Sequence, residues 1–494
     1  MSLAASRTAA RTPDVGAGVA GIPTAPLLVG LITLASFALR LSQIHQSLYG
    51  DEVLAYHEIA GHGLVEVVRT VRAGVESSPP LFFVLGWLSA KLGDPTVWIR
   101  LPSLILGTAT VPVIYLIGRD SVGRRAGVIA AAIFAVSPFA TYYGVEARPY
   151  ATMAFFVALS LLGLLRAVST GERRWWALYA VATAAAAYTH YTAVFVLGVQ
   201  AAWSLWKCRT RLRRPLLANA LAVLLYLPWL PQVHGSVLGL YGALEPLTAH
   251  NVLNDLLTII PGYPYAALHT IPTIPGLVAI LACALAGVVA IVVCRRAGGE
   301  TAAAREGWLV LLALLAAAAP AGVLLYSLLG IDIWFARALY SSVPAAALML
   351  GTLLAAIPGR LRAIAVAFVL AALVLGTIRS FGSAEARPPF RAAAQFLDRA
   401  ATPRDPIFMY PSFLSLDQAI PAQLRRPHLV VQGVPARWPA TLPGGEAFVV
   451  VDDAMATALR IPTPHPRGFA LVSVRQYNGI LRFTVLAYRA QPSG

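Results

Sequence analysis

Two carboxylates stand side by side at Asp51-Glu52, just after the first long apolar run of the chain, residues 25–44. A carboxylate there can act as a general base toward an acceptor hydroxyl, or hold that hydroxyl in place. The same position suits a helix start, because a negative charge in the first turn complements the helix dipole. A second constellation, Glu146-Ala147-Arg148-Pro149-Tyr150, lies where one apolar run ends and another begins. Read functionally, it adds a second carboxylate and a guanidinium able to grip a phosphate through two parallel hydrogen bonds. Read plainly, it is an ion pair steadying a turn, with Pro149 suited to a first helical position. Arg337 stands at the mouth of the apolar run 337–357, a costly place unless it is paired, binds an anion or snorkels toward headgroups. His190, in Thr189-His190-Tyr191, is either satisfied inside a bundle or available to a phosphate. Arg100 opens the second apolar run as a further cation.

The elements that must carry these residues follow from composition. The chain has 494 residues, 58% of them hydrophobic and 12% charged, with a mean hydropathy of +0.70. Soluble domains carry about twice that charge fraction. Apolar runs recur along most of the length, which predicts an all-α polytopic membrane protein. The net charge of +16 comes from arginines in short loops between apolar runs, a signal of topology and not of nucleic-acid binding. The basic loops are 119–125, 166–174, 207–214, 295–305 and 360–362, with Arg7 and Arg11 ahead of the first run. Placing all of them in the cytoplasm predicts roughly eleven spans: 25–45, 97–118, 126–143, 149–168, 175–190, 191–206, 215–233, 272–294, 308–329, 337–357 and 363–381. The N-terminus is then inside and the C-terminus outside. Residues 80–92 are too short to cross, and 53–72 reads as a helix lying along the interface. The first outer loop, 45–97, therefore holds juxtamembrane helices. The stretch 175–206 divides at Thr189-His190-Tyr191.

This topology brings Asp51, Glu52, Arg100, Glu146, Arg148, His190 and Arg337 to one outer face, together with the loop 233–270 and its Glu245, His250, Asp255 and His269. Residues 1–24 are predicted to be a disordered cytoplasmic segment, 25–381 the transmembrane domain, and 382–494 a small α/β domain on the outer face. In that last part a helix is expected at 390–400 and strands at 407–410, 428–432, 447–451 and 481–488, with turns at Gly444-Gly445 and Asn478-Gly479. Cys208, Cys283 and Cys294 have neither metal-ligand spacing nor a disulfide pattern. No glycine-rich nucleotide loop is present, which argues against a nucleotide sugar or ATP as co-substrate.

Several short pieces occur in a definite order: Tyr49-Gly50-Asp51-Glu52, Ser78-Pro79-Pro80-Leu81, Arg100-Leu101-Pro102-Ser103 and Arg124-Arg125-Ala126-Gly127. Ser137-Pro138 leads on to Glu146-Ala147-Arg148-Pro149-Tyr150, then Tyr188-Thr189-His190-Tyr191 and Phe335-Ala336-Arg337-Ala338-Leu339. In this succession, over about the first 350 residues, the chain resembles the GT-C glycosyltransferases, in the bacterial branch related to protein O-mannosyltransferases and lipid A aminoarabinose transferases. The resemblance implies an inverting transferase in the bacterial inner membrane that moves a sugar from a polyprenyl-phosphate donor to a glycan, lipid or protein acceptor on the outer face. It implies Asp51 as catalytic base with Glu52 beside it, and Glu146 as the second acidic position. It implies Arg337, Arg148, His190 and Arg100 around the donor phosphate, with Tyr49, Tyr150 and Tyr191 as substrate contacts. The branch's usual Arg-Tyr pair is here Arg337-Ala338, with Tyr340 displaced. No resident metal or other cofactor is expected, although some GT-C enzymes need a divalent cation. Two rivals stand beside this expectation: a transporter or flippase for a sugar lipid, and a non-catalytic envelope scaffold. A transporter should show repeat symmetry and mid-membrane polar groups, whereas here no repeat is visible and the polar groups gather at one face.

Overall fold

Among the described residues of the computed structural model, eight helical stretches are long and apolar enough to cross a bilayer: Thr24–Leu41, Pro95–Ser121, Tyr150–Thr170, Arg213–Gln232, His269–Val293, Gly307–Leu328, Ala336–Ala356 and Gly359–Ser380. The structure describes residues 24–73, 78–232, 246–296, 301–410, 416–434, 444–460, 464 and 466–491. The segment expected to be disordered lies outside them except for Thr24, and so do Arg7, Arg11 and Glu245. In chain order the first helices are α1 (Thr24–Leu41), α2 (Asp51–Ile59), α3 (Leu64–Arg72), α4 (Leu81–Ala90), α5 (Pro95–Trp98) and α6 (Leu101–Ser121). They continue as α7 (Arg124–Val136), α8 (Pro138–Tyr143), α9 (Tyr150–Thr170), α10 (Arg173–Ala187), α11 (Ala193–Lys207) and α12 (Arg213–Tyr226).

Each expected span falls on helix, but three fall on shorter ones: α7 has 13 residues, and α10 and α11 have 15 each. At 1.5 Å per residue these reach about 20–23 Å, short of a hydrocarbon core of about 30 Å. The count of eleven crossings is therefore not established by helix length. The stretch 175–206 does break, with Tyr188–Thr192 separating α10 from α11.

Close helix packing fixes the bundle. A Cβ on Gly118 of α6 would land on the Gly127 backbone of α7, and one on Gly163 of α9 would sit 2.8 Å from the Tyr179 nitrogen of α10. Such small residues let backbones approach where lipid removes the usual hydrophobic drive between helices. Between α7 and α8 the helix breaks at Ser137, whose hydroxyl accepts from Ala140 N. Arg40, buried in α1, donates to the Ala140 carbonyl at 3.1 Å and so ties α1 to this break.

The first loop differs from expectation in one respect. The single helix expected over 53–72 is two helices, α2 and α3, parted at Gly61-His62-Gly63. Gly61 has φ +78°, which glycine adopts at little cost. α5 is capped by Asp94, whose carboxylate accepts from Thr96 N at 2.9 Å, with Pro95 in its first turn.

The C-terminal part holds a five-stranded sheet in the order β2-β1-β3-β5-β4. The strands are β1 (Pro406–Tyr410), β2 (Leu429–Gln432), β3 (Glu446–Asp452), β4 (Phe469–Tyr477) and β5 (Phe483–Ala490). β1 runs parallel to both β2 and β3, and β5 runs antiparallel to β3 and β4. Four of the five coincide with expected strands. β4 was not expected: it is an edge strand with a largely exposed face, and Arg475 and Gln476 dilute its apolar pattern. The helix Phe390–Ala400 lays Phe390, Ala393 and Leu397 against Ile407, Phe448 and Val485 of the sheet. The same core includes Leu48, Val53, Ile59 and Phe82 from the first loop. Burial of this shared apolar surface holds the sheet against α2–α4, over the end of the bundle where Asp51 lies.

Candidate active site

Asp51 and Glu52 are neighbours in sequence with opposite environments. The Glu52 side chain has no exposed surface, whereas that of Asp51 is 29% exposed. Glu52 accepts from Arg100 through both oxygens, Nε to Oε1 at 2.9 Å and Nη2 to Oε2 at 2.7 Å. It also accepts from Ala147 N at 2.7 Å and from Arg387 Nη1. Burial alone would raise the Glu52 carboxyl, but the guanidiniums of Arg100 and Arg387 outweigh it and hold the group down to about 2. Glu52 is thus a permanently ionised tie between the first loop, the 146–148 turn and the C-terminal segment.

Arg100 is a correction to the sequence expectation. Besides Glu52, its Nη1 donates to the carbonyls of Ile44 at 2.9 Å and Gln46 at 2.5 Å, and its Nη2 to that of Ser47 at 2.9 Å. All five N–H groups of a guanidinium are then engaged, and the side chain is fully buried. Arg100 has no donor left for a phosphate; it folds the chain between α1 and α2.

Asp51 is the first residue of α2, but the cap position belongs to Gly50 and no side chain caps the helix. Its carboxylate is therefore not occupied as an N-cap. Arg337 Nη2 lies 3.7 Å from Asp51 Oδ2, an ion-pair distance too long for a tight hydrogen bond. Arg148 Nη1 donates to the Asp51 carbonyl at 3.4 Å. Burial alone would raise the Asp51 carboxyl; Arg337 and Arg148 outweigh it and hold it below its ordinary value. Arg337 also stacks over the Phe335 ring at 4.5 Å.

Glu146 has the reverse character. It is buried, and its Oε2 has no hydrogen-bond partner among the described residues. Burial pushes its carboxyl up to about 8 against the pull of Arg387, with Glu52 and Asp51 adding to the rise. Neutral at pH 7, it is a hydrogen-bond donor and not a base. His190 is also neutral: burial, reinforced by Arg148 and Arg337, lowers its imidazole to about 3. Its Nδ1 accepts from Thr192 N at 3.2 Å, which leaves the ring proton on Nε2. The His190 ring packs 5.3 Å from that of Tyr150.

Two of the three expected tyrosines belong to this cluster. Tyr49 meets Tyr265 edge-on at 5.7 Å, and Tyr150 packs against Tyr143 at 4.9 Å. Tyr191 does not: its hydroxyl pairs with Trp229 Nε1 at 3.4 Å and Gln232 O at 3.5 Å, so it braces the end of the 213–232 span. The displaced Tyr340 is buried against Phe139 and Tyr143.

Sequence reasoning missed Arg387 and the tyrosines around it. Arg387 ties to Glu52 from 335 positions away and lies over the Tyr142 ring at 4.6 Å. Its only local mark is the Pro388-Pro389 that follows. Tyr263 and Tyr265 flank Pro264 in the loop 233–270, where only Glu245, His250, Asp255 and His269 were singled out; Tyr265 meets Tyr142 at 5.3 Å. Among the described residues no group of three or more His, Cys, Asp or Glu side chains is arranged to hold a metal ion.

The arrangement is thus one open, ionised carboxylate flanked by two guanidiniums, with a protonated carboxyl and a neutral imidazole beside it, in an aromatic surround. Residues 77–231 match the family model for dolichyl-phosphate-mannose-protein mannosyltransferase. No protein of curated function matches the chain. Among solved structures, the chain is similar to ArnT from Cupriavidus metallidurans bound to undecaprenyl phosphate, at 15% identity over 93% of this chain and 97% of that one, with a TM-score of 0.54. The apo state of that protein gives 15% identity, 94% and 98% coverage, and a TM-score of 0.53. The chain is a membrane protein with the GT-C glycosyltransferase fold. The matched segment runs from Ser78 through α4–α12, and so includes Arg100, Glu146, Arg148 and His190. Asp51, Arg337 and Arg387 lie outside it and reach the cluster through tertiary contacts.

Proposed function

We propose that this protein transfers a sugar from a polyprenyl-phosphate donor to an acceptor hydroxyl at the extracytoplasmic face of a bacterial inner membrane, with inversion at the anomeric carbon. The observation that carries this reading is the contrast among three neighbouring carboxyls. Glu52 is saturated, Glu146 is protonated, and Asp51 alone is both ionised and open. The match to a lipid-phosphate-mannose transferase family and the undecaprenyl phosphate bound by ArnT support a lipid-linked donor.

In this mechanism Asp51 takes the proton of the acceptor hydroxyl. The acceptor oxygen forms a bond to the anomeric carbon from the face opposite the phosphate. The bond from that carbon to the phosphate oxygen breaks, and the electron pair leaves with polyprenyl phosphate. Arg337 and Arg148 neutralise the developing phosphate charge, and the Nε2–H of His190 adds a donor. When the donor phosphate draws on both guanidiniums, their hold on Asp51 weakens and its carboxylate becomes the stronger base.

Two outcomes follow from these assignments. Arg337→Gln removes a charge-assisted contact to the phosphate, so donor affinity falls about tenfold to a hundredfold, measured by titration with radiolabelled polyprenyl-phosphate sugar. An unchanged affinity would remove Arg337 from the phosphate site. Glu146 keeps its proton from its ordinary value of 4.5 up to about 8, so its donor function is present at neutral pH and lost as pH rises through about 8. Transfer by the wild type therefore declines on the alkaline side. Glu146→Gln, which cannot ionise, keeps activity and loses that decline. An alkaline limb identical in the two proteins would assign it to another group.

The direct test is a panel of donors in proteoliposomes. Polyprenyl-phosphate sugars should support labelling of an envelope-derived acceptor, and nucleotide sugars should not. Labelling from nucleotide sugars alone would sink the lipid-donor reading.

A further inference from the structure

At the opposite end of the bundle from Asp51, two helices begin beside one cavity. α10 starts at Arg173 and α12 at Arg213, and Arg173, Trp176, Arg213, Arg214, Leu217 and Leu221 help line a groove of about 490 Å³ between them. The residues before these helices, Glu172 and Leu212, make no side-chain cap bond. First-turn N–H groups and the positive ends of two helix dipoles therefore meet there without a side-chain cap. Glu172, the nearby carboxylate, pairs with Arg174 at 2.6 Å and is not among the groove's lining residues. Arg214 Nη1 donates to the Gly171 carbonyl, which fixes its guanidinium at the rim. Trp176 is buried, and its indole N–H has no acceptor among the described residues.

The remaining wall is apolar and open. Leu217 is 60% exposed and Leu221 is also exposed, on a span of which only 22% is buried inside the protein. In a bilayer crossed by this span, that exposed face of α12 would lie against lipid tails. The arginine-in-loop topology rule accounts for cations at this end of the bundle. It does not account for three of them converging with two uncapped helix starts on a cavity that opens onto a lipid-facing leucine wall. Lys207, Arg209 and Arg211 belong to the same connection and are exposed, yet do not line the groove.

We propose that this groove binds an anionic phospholipid of the surrounding bilayer. Its phosphate sits among Arg173, Arg213 and Arg214 at the two helix starts, and its acyl chains run along Leu217 and Leu221. Charge complementarity selects the headgroup, and the leucine wall selects a lipid over a free anion.

The test is native mass spectrometry of the full-length protein in detergent at low lipid ratio, using phosphatidylglycerol and phosphatidylcholine as probes. Wild type should form a first phosphatidylglycerol adduct in preference to phosphatidylcholine. Arg173→Gln/Arg213→Gln/Arg214→Gln should bind it on the order of 100-fold more weakly. Lys207→Gln/Arg209→Gln/Arg211→Gln removes the same charge outside the groove and should leave the adduct unchanged. Excess inorganic phosphate should not displace it. The proposal is overturned by equal losses in the two triple variants, by no loss in the groove variant, or by displacement with inorganic phosphate. Should the groove triple variant fail to fold, Arg213→Gln alone gives the same comparison, with a several-fold loss expected and unchanged binding overturning the proposal.

Discussion

Replacing Asp51 with asparagine is expected to slow sugar transfer roughly a hundredfold to ten-thousandfold, the range for loss of a general base, while donor binding persists. Asparagine preserves the shape of the side chain and an oxygen facing Arg337, but it cannot take a proton at neutral pH. The alternative reading, that Asp51 starts a helix, makes a different forecast. Gly50 already holds the cap position of α2 and no side-chain cap bond exists, so a structural role confined to the dipole is worth about 0.3–1 kcal/mol. The amide would then alter thermal stability slightly and leave the rate near that of wild type. Single-turnover transfer measured beside donor binding separates the two, because only the base role lowers the first without the second.

The largest expected effect on stability belongs to Glu52→Gln. Glu52 neutralises two buried guanidiniums, Arg100 and Arg387, and also accepts from the Ala147 amide. The amide leaves two cations buried without their counter-charge, and breaking a buried pair in this way costs about 3–5 kcal/mol. The sign with pH follows from the shift. The Glu52 carboxyl is held from an ordinary 4.5 down to about 2, so its contribution is complete above 4.5 and is lost as pH falls through about 2. Thermal unfolding in detergent near neutral pH should therefore show a marked loss in Glu52→Gln and a much smaller one in Asp51→Asn. Equal melting of Glu52→Gln and wild type would mean that the knot between the first loop, the 146–148 turn and the C-terminal segment carries no structural load.

The helical bundle was legible because lipid imposes a simple grammar: long apolar runs become helices, and arginines gather in the short loops between them. The helix 390–400 was legible from its amphipathic spacing, and its observed bounds, Phe390–Ala400, coincide with the expectation. β4 was not, because this edge strand has no buried position on either face, so it has little alternation to read. Within the site, Asp51 and Arg337 stand out in sequence as charges at span mouths, and the structure places them 3.7 Å apart. What sequence could not convey is saturation. Arg100 looks like a free cation until three carbonyls and a carboxylate are seen to surround it. Arg387 was hidden for a complementary reason: the link to Glu52 spans 335 positions, and no local pattern announces it. The shifts of the Glu52 and Glu146 carboxyls follow from the same limit, since burial and the approach of Arg387 are tertiary facts.

The central claim, that this chain is a lipid-donor transferase using Asp51, is tested most directly in one proteoliposome assay. Wild type and Asp51→Asn are each supplied with a radiolabelled polyprenyl-phosphate sugar and an envelope-derived acceptor, and bound donor, released polyprenyl phosphate and labelled acceptor are counted together. The account predicts that wild type binds donor and yields equal amounts of released lipid phosphate and labelled acceptor, while Asp51→Asn binds donor and yields neither. Binding by both proteins with no turnover in either would contradict it and favour a carrier or scaffold; turnover at equal rates in both would contradict the role given to Asp51.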